Sequence, residues 1–268
     1  MKIFIQHRHN TPYVQRLVKE ISKLVEVEEH DAGSKCTHYL SLQMGGEQQI
    51  ISLRQSLPDA KITTYCWDCY EWIWEHARMY DWRLYGEQCR VSDLIMVPSY
   101  GQVLRLGQHW DIIPDKTLVI PAYAQLFDYN NIGDDGYVCD PLRDIPDRHS
   151  GWVRRACSEL DIPYQHGGNN RPWEEYKKFV GRSSFVVCPW YEASTGGMSL
   201  VEAYSIGKDV LVCDSPYMGA KEYFGDRAYY FEPSYESLKN GINVMWKQRG
   251  KPKSPTRERR EFCHNEFG

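Results

Sequence analysis

The chain lacks any apolar run of membrane-spanning length, so no transmembrane segment is expected among its 268 residues. Met1-Lys-Ile-Phe-Ile5 leads straight into polar sequence, without the longer apolar core of a signal peptide, and the expected location is the cytoplasm. A charge excess is lacking too. Lys+Arg 32 against Asp+Glu 36 leaves a formal net charge of −4, which carries no general signal for binding polyanions. Regular cysteine spacing is also missing. The nine cysteines are an odd number, and Cys139, Cys188 and Cys213 lie in or beside apolar runs, where a thiol acts as a small hydrophobe. That usage fits a reducing compartment. Cys66-Trp-Asp-Cys69 has redox or zinc spacing, yet no second Cys-x-x-Cys exists to complete a zinc site, and no metal is expected. What the chain has in abundance is aromatic: 19 Tyr and 9 Trp, which argues for a packed core and against disorder.

One stretch organises the rest. Phe185-Val-Val-Cys188 is short, apolar and β-branched, as a buried parallel strand requires, and Pro189 ends it. A polar turn, Glu192-Ala-Ser-Thr-Gly-Gly197, follows. Ser199 to Ile206 then reads as a helix stopped by Gly207, and Val210-Leu-Val-Cys213 as a second buried strand. This is one βαβ unit. The first turn of its helix offers unpaired N–H groups and a partial positive charge, suited to a phosphate or diphosphate. Gly196 and Gly197 would let a ligand approach the backbone, while Glu192 and Glu202 can accept hydrogen bonds from the hydroxyls of a ribose or a sugar. A glycine-bearing turn by itself is common to many α/β proteins.

The whole segment says more. Tyr-Glu192, then Gly-Gly-Met198-Ser199-Leu-Val-Glu202-Ala, Gly207, the strand and Gly219-Ala-Lys-Glu222 resemble the nucleotide-sugar site of retaining GT-B glycosyltransferases of the glycogen-synthase-like class (group 1, family 4-like). The resemblance implies that Gly196, Gly197, Met198, Ser199, Glu202 and Glu222 bind the donor. Here Glu192 and Glu202 stand further apart than the family's two glutamates, as a short insertion in the turn would make them. The chain is short for the family, which implies a trimmed version of viral or phage type, acting then in the host cytoplasm.

Read in order, Lys2 to Gln6 is a first strand, and Val14, Leu17, Val18, Ile21 and Leu24 give an amphipathic helix from Pro12 to about Val25. His7 and His9 follow the first strand, at the carboxyl end where α/β sheets take ligands, and are candidates to face substrate. Further strands are expected at 38–43, 61–66, 94–97 and 117–121, with helices at 47–56 and from Ser99 to about Trp110. The stretch between Tyr65 and Tyr85 is read as aromatic packing. By resemblance Asp68 faces the acceptor, and His76 is a stand-in for the family's histidine.

Residues 122–136, with Asn130-Asn131 and Gly133-Asp-Asp-Gly136, read as a linker between a domain at 1–121 and one at 137–248. Arg143 and Arg148 follow the strand Tyr137–Asp140. The resemblance gives them the donor diphosphate, which two guanidiniums can stabilise without a metal. Gly167-Gly-Asn-Asn170 is a candidate border of the nucleobase pocket. Residues 249–268 form a basic tail, in which Arg249, Lys251, Lys253, Arg257, Arg259 and Arg260 outnumber the acidic residues.

The expected fold is α/β: two Rossmann-like domains facing across a cleft, the GT-B arrangement. The expected activity is transfer of a sugar from a UDP- or GDP-sugar to an acceptor hydroxyl, retaining and metal-independent, with no cofactor beyond that co-substrate. The resemblance places Arg143, Arg148, Glu192, Asp68 and His7 at the reaction. A carbohydrate or small molecule is the leading acceptor, and a hydroxymethylated pyrimidine in phage DNA a minority one. A nucleotide-sugar epimerase and a degenerate binding module stay open, and the oligomeric state is not indicated.

Overall fold

A computed structural model of the chain describes residues 2–6, 12–29, 36–42, 47–66, 82–121, 126, 132–141, 149–167, 171–189, 198–215, 219–251 and 255–267. The chain divides into two compact units, Met1–Ile120 and Pro121–Gly268. Each is a parallel sheet with helices, so the α/β class expected from the sequence is the one observed.

The first unit contains β1 (Lys2–Gln6), α1 (Pro12–Ser22), β2 (Glu26–Glu28), β3 (His38–Ser41), α2 (Glu47–Ser56), β4 (Lys61–Tyr65), α3 (Trp82–Val91), β5 (Leu94–Val97), α4 (Tyr100–Trp110) and β6 (Thr117–Val119). Its six strands lie in the order β2-β1-β3-β4-β5-β6, all parallel. Phe4, Ile5, Tyr39, Leu42, Ile50, Ile62 and Tyr65 fill its core. At the start of α4, Ser99 accepts the Gln102 N–H at 3.3 Å, the cap that a serine after a strand predicts. Two elements here differ from the sequence reading. β2 carries one apolar residue between two glutamates and exists by pairing its backbone to β1, with Lys2 3.7 Å from Glu26 and 3.3 Å from Glu28. α3 begins inside the aromatic stretch and runs on past it. It buries Tyr85, Gln88 and Cys89 while Arg83 and Arg90 stay outside, a helical stripe that aromatic density conceals.

The second unit contains β7 (Val138–Asp140), α5 (Ser150–Glu159), β8 (Tyr164–His166), α6 (Trp173–Gly181), β9 (Phe185–Cys188), α7 (Met198–Ser205), β10 (Val210–Cys213), α8 (Ala220–Phe224), β11 (Tyr229–Phe231), α9 (Tyr235–Gln248) and α10 (Thr256–Phe267). The strands run β11-β10-β9-β7-β8, again parallel. All residues of β9 and β10 are buried, as strands covered on both faces must be. The sheet changes direction between β7 and β9: the chain steps from β7 outward to β8, then returns to the other side of β7. In open α/β sheets ligands bind at the carboxyl ends beside such a switch.

Two features secure this sheet. Ile132–Gly136 is bound to the turn between α6 and β9: Arg182 forks onto Asp135, and Ser184 Oγ donates to Asp134 at 2.6 Å. Buried Lys208 donates to the carbonyls of Gly133 and Ser183, the latter at 2.6 Å. Burial pushes its pKa down to about 8. The second feature is α10, which the basic composition hides. Arg259 is fully buried, 2.6 Å from Asp209 and with its guanidinium 4.8 Å from the centre of the Tyr204 ring. Cys263 and Phe262 lie on the same side, against Val201 and Tyr204 of α7. Gly207, which ends α7, has φ +88°, and a Cβ there would sit 2.4 Å from Thr256 Oγ1. Glycine is required on both counts.

Candidate functional site

The described part of the site lies around the β7/β9 switch of the second sheet. β9 ends at Cys188 and Pro189, and α7 begins at Met198. Met198 and Ser199 are half-buried in its first turn. Glu202 follows one turn on, only 8% exposed although it carries an acidic side chain. Its Oε2 accepts a hydrogen bond of 3.1 Å from the hydroxyl of Tyr176 on α6, and Ser199 bonds the same phenol oxygen. The structure therefore brings Ser199 and Glu202 together, through a tyrosine that sequence reading passed over. Glu222 is elsewhere: it sits exposed in the first turn of α8, after the neighbouring strand β10. Beside it Lys221 pairs with Asp214 at 2.7 Å.

His7, Asp68, Arg143, Arg148, Glu192, Gly196 and Gly197 lie outside the described residues, as do His9, His76 and 168–170. Their chain neighbours are described. Pro141 leaves the carboxyl end of β7 ahead of both arginines, and Pro189 leaves β9 ahead of Glu192 and the two glycines.

A second acidic group at the switch was also missed. Asp140 ends β7 completely buried, with Tyr164 Oη at 3.5 Å and His166 Nε2 at 4.0 Å on the adjacent strand β8. Its carbonyl accepts the Gly167 N–H at 2.7 Å. A Cβ on Gly167 would lie 3.0 Å from the Pro141 carbonyl oxygen, so the two strands' exits run close together there. Burial, and then the Asp140 charge, push up the pKa values of Cys139 and Tyr164. Those thiol and phenol groups stay protonated beside it. The one signal in the sequence was an acidic residue closing an apolar strand, where a buried carboxylate must have partners.

Two carboxylates, that of Asp140 at the end of β7 and that of Glu202 on the helix that follows β9, thus lie at the carboxyl edge of the sheet, the edge where open α/β sheets take ligands. Among the described residues no group of His, Cys, Asp and Glu has the arrangement of a metal site.

The architecture places the chain among α/β folds built on two parallel sheets. Comparison with solved structures specifies which. The chain is similar to sucrose-phosphate synthase from Thermosynechococcus elongatus, with a TM-score of 0.71 and 12% identity over 100% of this chain and 95% of that one. It is similar to HepE from Anabaena in complex with UDP-glucose (TM-score 0.68, 12% identity, 100% and 95% covered). It is also similar to a glycosyltransferase from Rickettsia africae (TM-score 0.62, 14% identity, 100% and 94% covered). At these identities the likeness establishes the fold, which is that of GT-B glycosyltransferases. No protein-family model and no curated protein sequence matches the chain.

Proposed function

We propose that the chain is a glycosyltransferase that takes a nucleotide-activated sugar, UDP- or GDP-linked, at the carboxyl edge of its second sheet and passes the sugar to an acceptor hydroxyl. The observation that carries this reading is Glu202. A glutamate almost withdrawn from water, in the second turn of the helix after β9 and held by a phenol from α6, is suited to grip the hydroxyls of a ribose. Arg143 and Arg148 would neutralise the diphosphate, and Glu192 with Gly196 and Gly197 would meet the sugar. Met198, Ser199 and Glu222 would complete the donor side, while His7 and Asp68 would face the acceptor. Support from relatives is of two kinds: fold neighbours are glycosyltransferases, and several were solved with UDP, UDP-glucose or ADP.

Retention of anomeric configuration and independence from metal belong to the same proposal. The acceptor is proposed as a carbohydrate or small molecule. A hydroxymethylated pyrimidine in DNA is the weaker choice, because Arg259 of the basic run is turned into the fold and Arg257 pairs with Glu261 at 2.9 Å. A binding module without turnover is the second reading, favoured by the wide spacing of Glu192 and Glu202.

The test is a panel of UDP-, GDP- and ADP-sugars offered with sugar acceptors, with nucleotide release and product anomer read together. Release that needs an acceptor, survives EDTA and keeps the donor's anomeric configuration is expected. Conversion of the nucleotide sugar without an acceptor would mean an epimerase, and tight binding without turnover a binding module. In Glu202→Ala, donor binding should weaken by about 1.5–3 kcal/mol, the worth of a hydrogen bond to a charged group. Unchanged donor affinity in the folded variant removes Glu202 from the site.

A further inference from the structure

Tyr176 occupies a place that no motif marks. It lies in α6 with its ring stacked on that of Trp173, centroids 5.6 Å apart and planes at 25°. Its hydroxyl reaches the Glu202 carboxylate at 3.1 Å and is itself bonded by Ser199. The helix that carries it is fixed in turn. Phe179 stacks on Tyr137 at 6.1 Å, and the Arg171 guanidinium sits 4.3 Å over the Phe179 ring while its Nε donates to the Gly167 carbonyl at 3.1 Å. Tyr176 thus ties the exit of β8 and α6 to the acidic residue on α7. Burial, and then the Glu202 charge, push its pKa well up, so the phenol keeps its proton and acts as donor at any working pH.

A glutamate side chain has several rotamers, and freezing them when a ligand arrives costs affinity. A neighbour that has already frozen them removes that cost. We propose that Tyr176 is a positioning residue for the donor: by holding one oxygen of Glu202 it aims the rest of the carboxylate at the ribose hydroxyls of a nucleoside diphosphate. This rests on the donor site proposed above. Tyr176 does its work through Glu202, without contact to the reacting sugar.

The experiment compares wild type and Tyr176→Phe in calorimetric titrations with UDP and with 2′,3′-dideoxy-UDP, alongside thermal melting of both proteins. Phenylalanine keeps the ring packing and removes the hydroxyl. The variant should lose about five- to tenfold in affinity for UDP, part of what a charge-assisted hydrogen bond is worth. On the dideoxy nucleotide, which offers no ribose hydroxyls to Glu202, the two proteins should agree within about twofold by the same reasoning. In a Glu202→Ala background, adding Tyr176→Phe should change UDP affinity no further. An equal loss on both nucleotides would mean a packing role and overturn the inference, as would unchanged UDP affinity. A folded wild-type protein that binds none of UDP, GDP and ADP overturns the donor-site reading itself, and this inference with it.

Discussion

The Arg259–Asp209 pair offers the sharpest test of how the second unit is built. Asp209 opens the approach to β10 and Arg259 comes from α10, so the pair joins residues far apart in sequence. The guanidinium is wholly buried, and the carboxylate side chain is 17% exposed. Desolvating such charges costs several kcal/mol, which their attraction offsets only while both are present. Removing one partner should therefore cost about 3–5 kcal/mol, whereas replacing both with neutral groups of similar volume should come close to neutral. In a unit of this size each kcal/mol moves the melting temperature by about 2–4 °C, so Asp209→Ala should lower the second unit's transition by about 6–20 °C. Arg259→Met paired with Asp209→Asn should recover most of that loss. Calorimetry on the full chain is the right assay, because two units need not melt in one step. The first unit's transition should stay where it was. If Asp209→Ala moves the transition by less than about 2 °C, the pair does not hold α10 in place and the argument from burial is wrong.

Two further predictions concern the same unit. Lys208→Met leaves the carbonyls of Gly133 and Ser183 without their donor, which should cost about 2–6 kcal/mol at about 1–3 for each group, measured as a shift in urea midpoint. Since the folded-state pKa of Lys208 is pushed down to about 8, the unfolded chain binds more protons above that value, so wild type should gain stability between about pH 8 and 10.5. Lys208→Met should lack that gain. Glu159 is pulled down to about 2 by hydrogen bonds from Lys239, Arg155 and Tyr235, so its stabilisation is present above about pH 4.5 and fades as pH falls towards 2. Acid titration of Glu159→Gln should show a flatter limb in that window, and an unchanged limb would mean that the α5–α9 bridge carries no stability.

What the sequence disclosed followed from how locally each element is encoded. β9, α7 and β10 were legible because buried parallel strands are continuous apolar runs and Gly207 marks the helix end. β2 was not, since a three-residue strand with two glutamates is made by its partner and not by its own composition. The basic run concealed α10 for a related reason. Counting charge treats every arginine alike, yet Arg257 lies outside on one side of the helix while Arg259 meets a carboxylate fifty positions earlier. In the site, Glu202 could be named from its motif, but Tyr176 is one of 19 tyrosines and gains its role only where α6 is laid beside α7. Asp140 is the same case: an aspartate closing β7 becomes notable once β8 places Tyr164 and His166 next to it.

The two sheets repeat one strand order, with the switch between β1 and β3 in the first and between β7 and β9 in the second. The floors beneath those switches differ in chemistry. In the first sheet Gln6 and Ser41, which end β1 and β3, bond each other at 2.7 Å, and Gln88 reaches Ser41 and Thr64 at 3.0 Å each. Among the described residues these amides and hydroxyls form one buried network, and buried Glu47 opens α2, the helix that follows β3. In the second sheet the corresponding edge holds two buried carboxylates, Asp140 and Glu202. A buried carboxylate is stable only among donors, and here Tyr164 lies 3.5 Å from Asp140 while Tyr176 donates to Glu202 at 3.1 Å.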